Sequence, residues 1–382
     1  MRDFLCLHDF ERKCPGHLPR PLYQYLSGGV EDNVSRQANR TMFDEWSLLP
    51  RILVDVSKRS QRTQLFGQTF EAPFGIAPMG ISALLAYDGD RALAGAAEQA
   101  SIPMIISGAS LTRLEDIVHV APQSAWFQAY VPGNDAHIEG LINRVARAGI
   151  ATLVVTVDTP TLANRENNVR AGFSTPLRPS LRLAWDGIVR PRWLLGTMAR
   201  TLLKRGMPHF ENQSAQRGVP VFSRNAVRSF GLKEQLSWRH VALIRRLWRG
   251  RLILKGVLSA ADARLASEHG VDGLIVSNHG GRQLDGAAAP LRVLPDIVAA
   301  KGNMTVMIDS GFRRGTDVIK ALSLGADFVF IGRPMLCAAA LAGMRGVSRA
   351  IDLLKDEIHR DMALLGVTSI QGFGRQCLTR AA

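Results

Sequence analysis

The chain has 382 residues, of which 46% are hydrophobic, and it carries a formal net charge of +14. This size allows one large α/β barrel or two smaller domains, and the charge indicates affinity for nucleic acid, phospholipid or small acidic ligands. Four cysteines without paired short spacing argue against a metal site and a disulfide framework. The longest apolar run, at about residues 72–87, is too short and too often interrupted to span a bilayer, so we expect a cytoplasmic protein.

Residues 1–70 have the composition of short helices and turns. After them, eight apolar, β-rich runs alternate with helical stretches, which predicts parallel βαβ units. The predicted strands cover residues 73–77, 103–107, 126–130, 151–157, 252–256, 272–277, 304–309 and 327–331. Eight strands without a Gly-x-Gly-x-x-Gly turn favour an α/β fold of the (β/α)8 TIM-barrel type. We expect one domain over 1–382, with an N-terminal helical extension, the barrel at 71–340 and C-terminal helices at 341–382.

A long insertion at 174–235 separates the fourth and fifth predicted strands. Its first part, 174–210, mixes arginine and lysine with tryptophan, leucine and isoleucine, and contains one acidic residue, Asp186. This composition suits an interfacial segment on anionic lipid, which predicts a protein peripheral on the cytoplasmic face of the inner membrane. The alternative is a solvated loop with a helix packed on the barrel.

Polar residues follow each predicted strand, at the end of a barrel where active sites lie. Within Ser277–Asp285 (SNHGGRQLD), His279 can accept a proton and Arg282 can bind a carboxylate through two hydrogen bonds. An ordinary loop with a hydrogen-bonded histidine is the alternative for this motif by itself. The other strand ends supply Pro78, Met79, Gly80, Ser107, Gln128, Tyr130, Thr156, Asp158, Lys255, Asp309, Gly332 and Arg333.

Two glycine-arginine motifs follow the last two strands, DSGFRRGTDV at 309–318 and IGRP at 331–334. They supply glycine amides together with Arg313 and Arg333, at the place where barrels commonly bind phosphate. A phosphate site beside Lys255 suits flavin mononucleotide (FMN), because a lysine can stabilise the negative charge that develops on a reduced flavin ring.

With these motifs, the chain resembles the FMN-dependent 2-hydroxy acid oxidase and dehydrogenase family from about Leu18 to Leu365. SNHGGRQLD, TVDTP, LKGV and DSGFRRGTDV occur in the order and spacing of that family. The resemblance implies a homotetramer that binds FMN and oxidises an (S)-2-hydroxy acid, lactate-like or mandelate-like, to the 2-oxo acid.

The resemblance also implies roles for individual residues. His279 is the expected catalytic base, Asp158 orients it and stabilises its protonated form, and Tyr130 binds the substrate hydroxyl. The substrate carboxylate is expected to bind Tyr25, Arg165 and Arg282. The expected cofactor-binding residues are Met79, Gly80, Ser107, Gln128, Thr156, Lys255, Ser277, Asp309, Gly311, Arg313, Gly332 and Arg333.

Gly80 and Ala109 help to predict the electron acceptor and the size of the substrate pocket. At the position of Gly80, the family's membrane dehydrogenases resemble one another in having glycine, whereas its oxidases usually have alanine. The glycine therefore predicts electron transfer to a membrane quinone. The alternative is an oxidase that uses oxygen and releases hydrogen peroxide. Ala109 stands where glycolate-oxidising members carry a large aromatic residue, so a wider pocket is expected, with Leu162 and Met79 as candidate apolar walls.

Two other classes of protein compete with this interpretation. Other FMN barrels share the phosphate site, but their chemistry does not need Tyr25, His279 and Arg282 directed at a hydroxy acid. A basic nucleic-acid-binding protein would fit the net charge. The sequence has no helix-turn-helix, zinc-finger or RNP-type pattern, so we expect no nucleic-acid partner.

Overall fold

The computed structural model describes residues 1–222 and 233–381. Eight parallel strands close into a barrel in which each strand pairs with the next and the last pairs with the first. The strands are β1 (Phe74–Ile76), β2 (Met104–Ser107), β3 (Ala125–Ala129), β4 (Thr152–Thr156), β5 (Arg251–Val257), β6 (Gly273–Val276), β7 (Thr305–Ile308) and β8 (Phe328–Ile331). The predicted (β/α)8 fold is confirmed, and every predicted strand overlaps an observed one.

Each strand of the barrel is buried on both faces, which explains the continuous apolar runs of the sequence. The interior of the barrel is filled by large side chains such as Trp126, Phe328 and Phe330. An antiparallel hairpin of Thr63–Leu65 and Gln68–Phe70 adds Leu65 and Phe70 to this interior cluster. The cavity described below lies at the opposite, carboxyl ends of the strands.

A helix follows each strand of the barrel and covers its outer face. These helices are Gly89–Gln99, Leu114–Val120, Asp135–Arg147, Trp238–Leu247, Ala260–Glu268, Pro290–Ala300, Gly315–Ser323 and Arg333–Leu364, with a further turn at Ser82–Leu85. The last helix is kinked at Ala342 and Gly343, whose backbone angles are not helical. Beyond it, where the sequence predicted helices, two 3-10 turns lead into a strand, Leu378–Arg380, that pairs with Trp46–Leu48.

The N-terminal extension consists of the helices Leu7–His17, Arg20–Ser27 and Val34–Thr41. The end of the second helix reaches the mouth of the barrel, because main-chain carbonyls of Leu26 and Gly28 accept hydrogen bonds from Arg333. The third helix lies against the loop after β6, since Asp285 accepts hydrogen bonds from the amides of Val34 and Ser35. The extension therefore forms part of the wall around the mouth.

A helix, Glu166–Ala171, precedes the insertion. The insertion itself contains the helices Leu181–Ile188, Pro191–Trp193 and Arg200–Arg205, with a π-helical turn at Leu194–Ala199. Trp193 anchors it to the barrel, since its indole nitrogen donates to the carbonyl of Leu84 at 2.8 Å. Leu181 and Leu203 are exposed by 93% and 84%. Residues 223–232 of the predicted insertion lie outside the described residues. In the described ranges, no helix has the length and apolar character needed to cross a membrane.

Candidate active site

A cavity of about 490 Å³ lies at the carboxyl ends of the barrel strands. Most of the predicted site residues line it: Tyr25, Met79, Gly80, Tyr130, Thr156, Arg165, Lys255, His279, Arg282, Asp309, Gly311, Arg313, Gly332 and Arg333. Four of them do not line the cavity: Ser107, Gln128, Asp158 and Ser277. The first, third and fourth hydrogen-bond to residues that do line it, and Gln128 hydrogen-bonds to Ser107 and to the amide of Gly108. The structure therefore brings together residues that are spread over 309 positions, from Tyr25 to Arg333.

His279, which lines this cavity, and Asp158 behind it form a largely buried pair, with side chains exposed by 17% and 13%. The Nδ1 atom of His279 lies 3.0 Å and 3.2 Å from the two carboxylate oxygens of Asp158. Its Nε2 atom lies 3.4 Å from the hydroxyl of Tyr130. Gly256 permits this arrangement, because at its φ of +108° a Cβ would lie 2.6 Å from the side chain of Asp158. Since a carboxylate only accepts, Nδ1 carries the hydrogen and Nε2 is left to accept a proton.

The charges of this pair follow from burial and from the neighbouring groups. Burial lowers the pKa of His279 below its ordinary value, and the carboxylate of Asp158 only partly opposes this effect. Burial raises the pKa of Asp158, but His279 and Lys255 outweigh it and leave that pKa below its usual range. At neutral pH the pair therefore consists of a neutral imidazole and an ionised carboxylate, as a general base requires.

Three arginines around the cavity bind main-chain carbonyls. Arg282 donates to the carbonyl of Gly28 at 2.8 Å, Arg165 donates to the carbonyl of Arg282 at 3.0 Å, and Arg333 donates to the carbonyl of Gly280 at 2.9 Å. Burial and the neighbouring Arg165 lower the pKa of Arg282 to about 10. Burial and Arg282 also lower the pKa of Arg333. Partly buried cations that repel one another are stabilised by an anion, so the cavity favours carboxylate and phosphate ligands.

Tyr25 lies beside this cluster. Its ring stacks on Phe173 with centroids 4.7 Å apart, and the guanidinium of Arg282 lies 5.0 Å from its centroid. The hydroxyl of Tyr25 is 3.5 Å from the carbonyl of Gly80, so it faces the loop after β1. The sequence placed this tyrosine outside the eight strand ends, and the fold of the N-terminal extension brings it to the cavity.

The innermost wall has the polar atoms that a flavin ring needs. Lys255 is buried and lies 3.0 Å from a carboxylate oxygen of Asp309 and 2.9 Å from the hydroxyl of Ser277. Burial lowers the pKa of Lys255, but Asp309 and Asp158 outweigh it and raise that pKa, so the ammonium is charged. Within the described residues, the buried Nε2 of Gln128 and Oγ1 of Thr156 have no hydrogen-bond partner. Buried polar groups are rarely left unsatisfied, and the polar edge of FMN would supply the missing partners.

The loops after β7 and β8 form the predicted phosphate site. Gly311 has a φ of +91°, and a Cβ there would lie 1.9 Å from the carbonyl oxygen of Asn39, so only glycine fits. The carboxylate of Asp317 accepts from the amide of Arg313 at 2.8 Å, and that of Glu357 accepts from the amide of Gly315 at 2.7 Å. These carboxylates occupy the start of the helix Gly315–Ser323.

The start of the next helix, Arg333–Leu364, lies on the cavity and its preceding residue is Gly332. The amides of Gly332 and Arg333 are therefore candidate donors to a phosphate, whereas Pro334 has no N–H and the amides of Met335 and Leu336 donate to the carbonyl of Gly332. Arg313 also lines the cavity, but its Nε atom is bound to Glu11 at 2.5 Å. Glu11 belongs to the N-terminal helix, and the sequence contained no signal for this ion pair.

Gln283 and Phe173 are two further residues of the site that sequence reasoning missed. Gln283 lies within the SNHGGRQLD motif, directly after Arg282, so its position in the motif was an available signal. Its side chain contacts both Arg165 and the main chain of Asp158. Phe173 stacks on Tyr25 and lies directly before the insertion, at a point where the sequence has no recognisable pattern.

Comparison with known proteins agrees with this geometry. The FMN-dependent dehydrogenase family matches residues 14–380. The chain is 37% identical over 364 residues to (S)-mandelate dehydrogenase of Pseudomonas putida, covering 95% of this chain and 91% of that protein. It is 36% identical over 377 residues to L-lactate dehydrogenase of Pseudomonas syringae pv. syringae, covering 98% of each.

Solved structures show the same similarity. The crystal structure of monotopic membrane protein (S)-mandelate dehydrogenase superposes with a TM-score of 0.89 at 35% identity, covering 99% of this chain and 100% of that one. A structure of mandelate oxidase superposes with a TM-score of 0.80 at 31% identity, covering 99% of each. The predicted cofactor and enzyme class are confirmed: the chain belongs to the FMN-dependent dehydrogenase family and is an oxidoreductase acting on CH–OH donors.

Proposed function

We propose that this protein oxidises an (S)-2-hydroxy acid, lactate-like or mandelate-like, to the 2-oxo acid. The observation that carries the proposal is the His279–Asp158 pair bordering the same cavity as Arg165 and Arg282. No carboxylate of the described residues pairs with either arginine, so both can bind the carboxylate of a substrate. The relatives named for (S)-mandelate and L-lactate support the same class of substrate.

In this proposal the residues divide the reaction between them. Arg165, Arg282 and Tyr25 bind the substrate carboxylate, and Tyr130 binds the substrate hydroxyl. His279 accepts one proton at Nε2, either from the α-carbon or from the hydroxyl, and both routes form a C=O bond and release two electrons and two protons. FMN, when bound, would accept the two electrons together with the other proton. On either route the ionised Asp158 stabilises an imidazolium charge that appears only as the reaction proceeds.

The proposed cofactor contacts use the two parts of the cavity described above. Lys255, Gln128, Thr156, Ser107 and Ser277, with the main chain of Met79 and Gly80, would hold the ring. Asp309, Gly311, Arg313, Gly332 and Arg333 would hold the ribityl and phosphate groups. The charge of Lys255 is suited to negative charge on the ring, because it is buried where solvent screens it least.

The space for the substrate side chain lies between the loops after β1 and β2. A Cβ on Gly80 would lie 2.9 Å from the Cβ of Ala109 and 3.1 Å from the hydroxyl of Tyr25, so a larger residue at position 80 would narrow this part of the cavity. Met79 and Leu162 also line the cavity. We therefore infer a pocket that accepts an apolar or aryl side chain larger than the hydrogen of glycolate.

The electron acceptor is proposed to be a membrane quinone, with an oxygen-using oxidase as the alternative. Support comes from the insertion, where the exposed Leu181, Trp185 and Leu203 lie among basic residues. A relative described as a monotopic membrane protein also supports a membrane acceptor. Attachment to the cytoplasmic face and a single domain over 1–382 are further expectations from the sequence pattern, and a homotetramer is an expectation from the family resemblance.

The deciding experiment is anaerobic reduction of the yellow protein by a panel of substrates. Glycolate, L-lactate, longer (S)-2-hydroxy acids and (S)-mandelate are mixed with the protein while flavin absorption is recorded. Bleaching by lactate or mandelate but not by their R enantiomers is expected, and a flavin that none of them bleaches contradicts the proposed function. Turnover with a quinone analogue should exceed the rate of peroxide release in air; the reverse would favour the oxidase.

A further inference from the structure

Gln283 connects two parts of the cavity that the proposed function treats separately. Its Oε1 atom accepts a hydrogen bond from Nη2 of Arg165 at 2.6 Å. Its Nε2 atom donates to the main-chain carbonyl of Asp158 at 3.1 Å. A guanidinium only donates and a carbonyl only accepts, so the orientation of the amide is determined by its two partners. The side chain also lines the cavity itself.

Arg165 needs such a partner because of its surroundings. It directly precedes the helix Glu166–Ala171, in a loop beside exposed residues such as Leu162. Its charge is close enough to Arg282 to contribute to lowering the pKa of that residue. This repulsion favours side-chain positions in which Arg165 points away from the cavity and into solvent.

Two hydrogen bonds oppose the repulsion. One runs from Nε of Arg165 to the carbonyl of Arg282 at 3.0 Å, and the other is the bond to Gln283. Both acceptors are neutral, so they hold the guanidinium without cancelling its charge. Its Nη1 atom has no partner within the described residues. The arginine is therefore held in place for an anion before the anion arrives.

We propose that Gln283 is a positioning residue that holds Arg165 towards the cavity and thereby sets the affinity of the site for the substrate carboxylate. The inference rests on the proposed function, since it assigns Arg165 to that carboxylate. Affinity is higher when a side chain is already ordered in its bound position, because binding then loses less side-chain conformational entropy. The amide of glutamine suits this role better than a carboxylate, which would neutralise Arg165.

Two substitutions separate positioning from charge. Gln283→Met keeps the length of the side chain but removes both hydrogen bonds. Gln283→Glu keeps an acceptor for Arg165 but adds a negative charge, and it places an oxygen where the carbonyl of Asp158 needs a donor. Gln68→Met is the matched control, because Gln68 lies in the hairpin at the other end of the barrel and is exposed.

The experiment measures KM and kcat for whichever of L-lactate and (S)-mandelate turns over faster, and the Kd of oxalate from its perturbation of the flavin spectrum. For Gln283→Met, KM and the oxalate Kd should rise about tenfold while kcat stays within about threefold. Gln283→Glu should raise KM and the oxalate Kd by about 100-fold, since the negative charge of the glutamate repels the anion. In Gln283→Met the pH midpoint of kcat/KM should not move, and Gln68→Met should behave as the native protein.

Three results would overturn the inference. An unchanged oxalate Kd in both variants would show that Arg165 does not depend on Gln283. A fall in kcat with a shifted pH midpoint and constant KM would assign Gln283 to the His279–Asp158 pair. Equal rises of KM and of the oxalate Kd in Gln283→Met and Gln283→Glu would show that the charge at position 283 does not affect anion binding. These results can be told apart from a failure of the proposed function. In that case the native protein would turn over no 2-hydroxy acid, while the oxalate Kd of the variants would still test the role of Gln283.

Discussion

Replacing Asp158 with asparagine separates the charge of this carboxylate from its shape. Asparagine can still accept from Nδ1 of His279, so the imidazole keeps its orientation, but the imidazolium formed in the reaction loses its counter-charge. Two unit charges about 3 Å apart interact by about 5 kcal/mol at an effective dielectric constant of about 20, and the observed Nδ1–Oδ1 distance is 3.0 Å. Since about 1.4 kcal/mol corresponds to tenfold, kcat should fall roughly 1000- to 10,000-fold.

The pH dependence gives a second, independent readout of the same variant. The native pKa of His279 lies below the ordinary value of 6.5, so kcat/KM should rise with pH to a plateau reached before neutrality. Asp158 opposes that lowering, so removing its charge lowers the pKa of His279 further. The acid limb of the asparagine variant should therefore move to lower pH while its plateau falls.

Stopped-flow reduction of the bound flavin, recorded without oxygen from about pH 5 to pH 9, measures both effects of the Asp158 substitution. Asp135→Asn is a control, because that carboxylate forms an exposed ion pair with Arg239 away from the cavity. A rate within tenfold of the native protein, with full FMN content, would refute the role given to Asp158. So would an acid limb that moves to higher pH.

Three further substitutions test other parts of the proposal. His279→Gln should reduce turnover by several orders of magnitude and leave FMN bound, and near-normal turnover would contradict its role as base. Gly80→Ala should raise KM for (S)-mandelate about tenfold and for L-lactate less, since the new methyl would lie 2.9 Å from a neighbouring carbon; equal effects would place the side-chain pocket elsewhere. Leu181→Ser with Trp185→Ser should release the protein from anionic vesicles in a sedimentation assay without lowering turnover with a soluble acceptor, whereas Ile52→Ser, also highly exposed, should not.

Much of the site could be predicted because it follows the strands. A parallel strand buried on both faces leaves a continuous apolar run, and the residue after that run lies at the mouth of the barrel. This rule located His279, Lys255 and Asp309, and the family resemblance added Tyr25, which lies outside any strand. The same rule explains why the strand bounds agree to within about two residues.

The remaining features depend on contacts between distant segments. Arg165 and Gln283 are separated by 118 positions, and Glu11 and Arg313 by 302. No local period of the sequence encodes such a contact, because it exists only once the barrel has closed and the N-terminal helix has packed against it. The contact of the Asp317 carboxylate with the amide of Arg313, at the start of the helix Gly315–Ser323, is also a feature that the glycine motifs alone did not indicate.

The amino-acid sequence by itself determined the barrel, the cofactor and the residues able to exchange protons and bind anions, since those depend on residue type and strand period. Only the tertiary structure decided how they act together. Closure of the barrel places the carboxylate of Asp158 against His279 across 121 positions, and burial then sets their charges. It also places Gln283 against Arg165, and packing of these segments, rather than their composition, makes them one site.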